Sequence, residues 1–93
     1  MRLFKIDNSS IWPYSPNETR SVHDGIQHKF SFLNGYGASV VRHSGSYGGD
    51  IGLWEIAVLK NGELNYETPI TNDVLGYVHA NSIYKILDRI SNL

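Results

Sequence analysis

Ile26-Gln27-His28-Lys29-Phe30-Ser31-Phe32-Leu33-Asn34-Gly35-Tyr36-Gly37-Ala38-Ser39-Val40-Val41-Arg42-His43 is the stretch that decides the fold. Ile26, His28, Phe30 and Phe32 alternate with Gln27, Lys29 and Ser31, the period of two expected of a strand buried on one face. Asn34-Gly35 is the preferred pair for a two-residue type I′ hairpin turn. Tyr36 to His43 then returns as a second strand, with Ala38 and Val40 on one face and Val41 and His43 on the other. This register sets His28 opposite Val41 and near His43.

Downstream, Ser44 to Gly52 reads as a flexible connection containing Gly45, Gly48, Gly49 and Gly52. Leu53 to Leu59 is the strongest strand, with Trp54, Ile56 and Val58 alternating with Glu55 and Ala57. Asn61-Gly62 repeats the hairpin signal, and Glu63 to Thr68 predicts a fourth strand ended by Pro69. Asn72 predicts an N-cap for a short helical turn through Asp73, Val74 and Leu75, broken at Gly76. Asn81 or Ser82 then caps a helix in which Ile83, Ile86, Leu87, Ile90 and Leu93 recur at helical spacing, with Asp88 and Arg89 solvated. A helix this short does not persist unpacked, so it is expected to cover one face of the sheet.

Upstream, Leu3, Phe4 and Ile6 suit a short edge strand. From Asp7 to Gly25 the chain is polar, and Pro13 and Pro16 interrupt any ladder. Within it, Trp12 and Tyr14 have two readings: a plug for the core, or an anchor for a partner, since Trp and Tyr dominate binding hot spots. The expected organisation is an irregular N-terminal arm over residues 1–25 and a single α+β domain over 26–93. That domain is an antiparallel four-stranded meander with a C-terminal helix packed on one face, because Asn-Gly turns favour antiparallel pairing. The sheet's remaining edge or face is available for a homo-oligomer.

The chain has 93 residues, a net charge of −1 and no cysteine. Its length suits one modest core, and the lack of cysteine excludes disulfides and thiolate metal sites. No apolar run is long enough to span a membrane, and Met1 to Ile6 does not read as a signal peptide. Residues 20–49 carry Arg20, Lys29 and Arg42 against Asp24, while residues 50–93 carry Lys60, Lys85 and Arg89 against six carboxylates. That pattern lacks the broad basic face of a duplex nucleic-acid binder. It fits a small anionic ligand or a protein met through complementary charge.

Residues 35–49 concentrate five of the nine glycines with Tyr36, Arg42, His43, Ser46, Tyr47 and Gly48, the candidate ligand-binding set. In the functional reading Arg42 holds a phosphate or carboxylate, backbone N–H groups near Gly45 to Gly49 add donors, and Tyr36 or Tyr47 stacks on a base. In the structural reading Arg42 pairs across the sheet with Glu55 and the tyrosines simply pack. No dinucleotide fingerprint, phosphate-binding loop or nucleophile elbow is present. Ser39 and His43 share a strand face but lie roughly 13 Å apart at strand rise. No carboxylate is spaced to complete a histidine metal set. The expectation is a non-enzymatic protein without metal or cofactor.

Phe30-x-Phe32-x-Asn34-Gly35-Tyr36-Gly37-Ala38-Ser39-Val40-Val41-Arg42-His43, Ser46-Tyr47-Gly48, Gly52 to Leu59 and Thr68 to Gly76 together resemble a set of small uncharacterised bacteriophage accessory proteins. The similarity spans roughly residues 30–93. It implies a protein made inside an infected bacterium and acting in the host cytoplasm. Such proteins block a host bacterial protein by binding it, or sequester a small anionic nucleotide-like immune signal. The resemblance supplies no catalytic residues.

Overall fold

The computed structural model describes residues 4–6 and 10–93, with side chains from Trp12 onward; Leu3 lies outside them. The elements are β1 (Phe4–Ile6), β2 (Ser10–Trp12), β3 (Glu18–Val22), β4 (Gly25–Ser31), β5 (Tyr36–Arg42), β6 (Trp54–Lys60), β7 (Glu63–Leu64), β8 (Val74–Val78) and α1 (Ala80–Ser91). Strands β3 to β7 follow one another in an antiparallel sheet, β8 pairs with β6, and β1 pairs with β2 separately. The class is α+β, and the expected meander β4-β5-β6-β7 is widened by β3 and β8.

Two turns fix the register. Asn61 at φ 52° and Gly62 at φ 85° join Lys60 to Glu63, the two-residue turn with both residues left-handed that Asn-Gly favours. The first hairpin instead takes a three-residue turn, Leu33-Asn34-Gly35. Gly35 N–H donates to Phe32 O, Phe32 N–H donates to Tyr36 O, and Gly35 adopts φ 85°. The extra residue moves the register by one, so His28 faces Val40 rather than Val41. The reason lies in Asn34, whose side-chain amide donates to Ile90 O at 3.0 Å and Leu93 O at 3.2 Å, capping the end of α1. Its Oδ1 accepts from Tyr36 N–H.

Cα partners across β4, β5 and β6 share a face, and this sorts the sheet. His28, Val40 and Ile56 form one row, and Phe30, Ala38 and Val58 the next. These residues are buried with Trp12, Trp54 and Val78 beneath Ile83, Leu87 and Ile90 of α1. The opposite face carries Gln27, Lys29, Ser39, Val41, Glu55 and Ala57. His28 is buried among aromatic rings, 5.8 Å from Trp54 and 6.2 Å from Trp12 between centroids, and its Nδ1 is 2.8 Å from the Thr19 hydroxyl. That bond satisfies a polar atom that would otherwise be costly to bury.

The irregular arm expected over residues 1–25 contains β3, whose partner is β4 from Glu18↔Lys29 to Val22↔Gly25. Its first four side chains are exposed, so no apolar alternation marks it. The helical turn expected at 73–75 is instead the start of β8. β7 covers β6 only at Leu59 and Lys60, and β8 takes the edge left open from Trp54 to Ala57. Valine and tyrosine suit that pleated edge. The fourth strand expected over 63–68 ends at Leu64, because Asn65, Thr68 and Thr71 fold back on the N–H groups of Glu67, Ile70 and Asp73. Helix α1 begins at Ala80, with His79 rather than Asn81 or Ser82 at its N-cap.

Tyr14 closes the molecule. Its ring meets Phe32 edge-on at 5.3 Å, its hydroxyl donates to Asp88 Oδ1 at 2.8 Å, and Ser91 Oγ lies 3.2 Å away. The Ser91 hydroxyl pulls the phenol down, but burial and the hydrogen bond and charge of Asp88 together hold it above the ordinary tyrosine value of 10.0. Tyr14→Phe should cost about 0.5–1.5 kcal/mol at neutral pH. A raised pKa means that this contribution is full below the unfolded value and is lost as pH rises through the folded one. Melting curves of wild type and Tyr14→Phe should therefore converge in alkali above pH 10.0; a gap that widens there would contradict the bond.

Candidate functional site

Between β5 and β6 the chain makes a run of tight turns rather than a loose tether. Ser46 is buried, and its hydroxyl donates to His43 O at 2.8 Å while accepting from His43 N–H at 3.0 Å. Ser44 N–H donates to Asp24 Oδ1, Gly45 N–H to His43 Nδ1, Ser46 N–H to His43 O, Tyr47 N–H to Glu55 Oε1 and Gly49 N–H to Ser46 O. Each of these donors is satisfied within the fold. Four of the five N–H groups from Gly45 to Gly49 that the sequence offered to a phosphate are therefore already spent. The Gly45 bond also fixes His43: its Nδ1 accepts, so the neutral ring carries its proton on Nε2. The Ser44 backbone N–H, aided by the Ser44 hydroxyl and the nearby His43, holds the Asp24 carboxyl below its ordinary range.

An open cleft of about 470 Å³ lies at this end of the sheet, lined by residues that include Asp24, Arg42, His43, Ser44 and Asp50. The Arg42 guanidinium lies over the Trp54 ring, 4.5 Å from its centroid, a cation–π arrangement. The register sets Glu55 opposite Val41, on the other face of the sheet from Arg42. The rings of His23 and His43 are 4.9 Å apart. The cleft thus mixes one arginine with two carboxylates. It is not a simple anion pocket.

The candidate residues separate into several places. Arg42 and His43 line the cleft. Ser46 is an internal staple. Gly48, at φ 89°, starts the 3-10 turn Gly49–Ile51, and its carbonyl accepts from Ile51 and Leu53. Tyr47 stands beside β8: its carbonyl accepts from Tyr77 N–H at 3.1 Å, and a side chain at Gly76 would strike the Tyr47 Cβ at 2.6 Å. Tyr36 is at the far end of β5, about 20 Å from Arg42 at strand rise. There it lies beneath the Lys60 ammonium and lines a smaller cleft of about 220 Å³. Trp12 is 0% exposed, with its indole N–H donating to Ala80 O, and so presents no surface to a partner.

Three side chains stand out on the surface here: Tyr47 at 59% exposed, Ile51 at 70% and Tyr77 at 61%. Ile51 and Tyr77 did not emerge from sequence reasoning. The available signal was an isoleucine between Asp50 and Gly52 in a glycine-rich turn, and a tyrosine following Gly76. Tyr77 adopts φ 55°, uncommon for an aromatic residue. It is held there by its bond to Tyr47 O and by the register shift between Trp54 and Ile56. Asp50 and Asp73 are exposed nearby in sequence.

Among the described residues, no group of three His, Cys, Asp or Glu is placed to hold a metal ion, and no helix is long and apolar enough to cross a membrane. No family model, curated protein or solved structure matches the chain.

Proposed function

We propose that this chain is a non-enzymatic binding protein that inhibits a partner protein by occupying its surface, in the manner of a bacteriophage host-takeover or anti-defence protein. One observation carries the reading: Tyr47, Ile51 and Tyr77 are exposed side chains on residues whose own backbone N–H groups donate within the fold. A stapled loop loses little conformational freedom on docking, which favours affinity, and tyrosines supply rigid amphipathic contact area. The carboxylates Asp50, Glu55 and Asp73 suit a partner with a basic rim. The phage context rests on the resemblance alone.

The alternative is sequestration of an anionic nucleotide-derived signal in the cleft under Arg42. The cleft's volume favours it. Asp24 and Asp50 in the same lining oppose it, as does the internal use of the loop's N–H groups.

The two readings part on variants. A partner recovered from infected host lysate, then purified, is titrated against wild type, Tyr47→Ala, Tyr77→Ala and Arg42→Ala. Each tyrosine variant should weaken binding about tenfold or more, with Arg42→Ala near wild type. In parallel, cyclic nucleotides are incubated with the protein and released by heating. Uptake of intact ligand that Arg42→Ala abolishes would replace the protein-partner reading with sequestration. Altered ligand would overturn both.

A further inference from the structure

The two edges of the main sheet are finished differently. At one edge β7 has two residues and β8 joins β6 through a register shift, features that discourage further pairing. At the other edge β3 runs for five residues, Glu18-Thr19-Arg20-Ser21-Val22, with no proline or lysine and no register shift against β4. Among the described residues no strand pairs with its outer side.

The turn at His23-Asp24 connects Val22 to Gly25 through two residues, which makes that end pair the hydrogen-bonded kind. Alternation then points the backbone groups of Glu18, Arg20 and Val22 at β4 and those of Thr19 and Ser21 outward. An antiparallel partner strand must present outward-pointing residues to these two. Centring β3 on its own copy at Thr19 does this for Thr19, which meets Thr19 of the copy, and sets Glu18 opposite Arg20 of the copy, twice by symmetry; Ser21 then falls opposite Asn17, whose N–H already donates to Lys29 O. Centring it between Thr19 and Ser21 would face Arg20 with Arg20, which like-charge repulsion disfavours. Arg20 is suited to the first arrangement: its Nε donates to Gln27 Oε1 at 2.7 Å, which leaves the terminal nitrogens for a carboxylate across the edge. Thr19 is steadied from the other side of the strand by His28.

We propose that β3 is a self-complementary edge through which two copies of this chain pair about a two-fold axis at Thr19, joining their sheets into one. Five residues of edge bury little area, so the dimer belongs to the weak, concentration-dependent class. It uses neither Tyr47 nor Tyr77, and stands apart from the partner-binding loop.

Sedimentation equilibrium over a wide concentration range tests it, with circular dichroism confirming that each variant is folded. Wild type should show a monomer–dimer equilibrium. Glu18→Arg and Arg20→Glu should each raise the dissociation constant about tenfold, since each turns two attractive pairs into repulsive ones. The double variant E18R/R20E restores opposite charges and should return to within about threefold of wild type. A monomer at every concentration overturns the proposal. So does a dimer indifferent to the single reversals, or one that the double reversal fails to rescue.

Discussion

Trp12→Ala is expected to lower the unfolding free energy by about 3–5 kcal/mol, a large share of the roughly 5–15 kcal/mol that holds a domain folded. The indole is completely buried, 5.7 Å from the Phe30 ring and 6.2 Å from His28 between centroids. Its N–H donates to Ala80 O at the first turn of α1. Alanine would leave a cavity between sheet and helix and remove the indole bond that ties Trp12 to the start of α1. Trp12→Phe refills part of the volume without restoring the hydrogen bond, so its cost should fall between alanine and wild type. Urea unfolding followed by the fluorescence of Trp54 gives the measurement. Should Trp12→Ala unfold within about 0.5 kcal/mol of wild type, the range typical of surface substitutions, the N-terminal segment is not part of the core.

Gly49→Ala should be the most damaging change in the loop, at about 2–3 kcal/mol, and should abolish partner binding as well. A methyl group there would overlap the carbonyl oxygen of His43 at 1.8 Å and the Ser46 hydroxyl at 2.6 Å. Neither can swing aside, because one is backbone and the other is the staple joined to His43. The turn must open, carrying Tyr47 and Ile51 with it. Gly52 provides the contrast. Its φ is 80° but nothing lies within 4 Å of the added methyl, so Gly52→Ala should cost only about 1–2 kcal/mol of backbone strain. Melting temperatures and partner affinity measured side by side would decide. Equal effects at the two glycines would mean that close packing at Gly49 does not shape the loop.

The central hairpins were legible because their apolar residues keep a strict period of two and each is followed by Asn-Gly. The same dipeptide nonetheless made two different turns. Among the described residues none hydrogen-bonds the Asn61 side chain, whereas Asn34 is recruited to cap Ile90 and Leu93, more than fifty residues away. No local pattern encodes that demand. β3 was hidden because an exposed edge strand needs no apolar alternation. β8 was hidden because its pairing depends on how little of β6 the short β7 covers. In the site, the glycine-rich segment stands out in the sequence by composition alone. Its N–H groups could not be assigned from sequence, because the acceptors Asp24 and Glu55 arrive from other parts of the chain. Tyr36 and Arg42 belong to one strand yet serve its opposite ends, a separation visible once strand rise is applied over the whole of β5.

The bond from Trp12 to Ala80 spans 68 positions of the chain, and that distance sets a clock. At roughly 5–20 residues per second, a ribosome takes about 3–14 seconds to cover it. The residues of β3 to β6 are all added within the interval, and a hairpin closes in microseconds, although without the helix such a pair is only marginally stable. Any strand pairing that forms before α1 is made leaves the apolar face of the sheet with no helix above it. A chaperone has its opportunity there, and so does aggregation. Slowing synthesis through residues 61–79 should prolong that exposure, and a faster passage should raise the yield of folded protein.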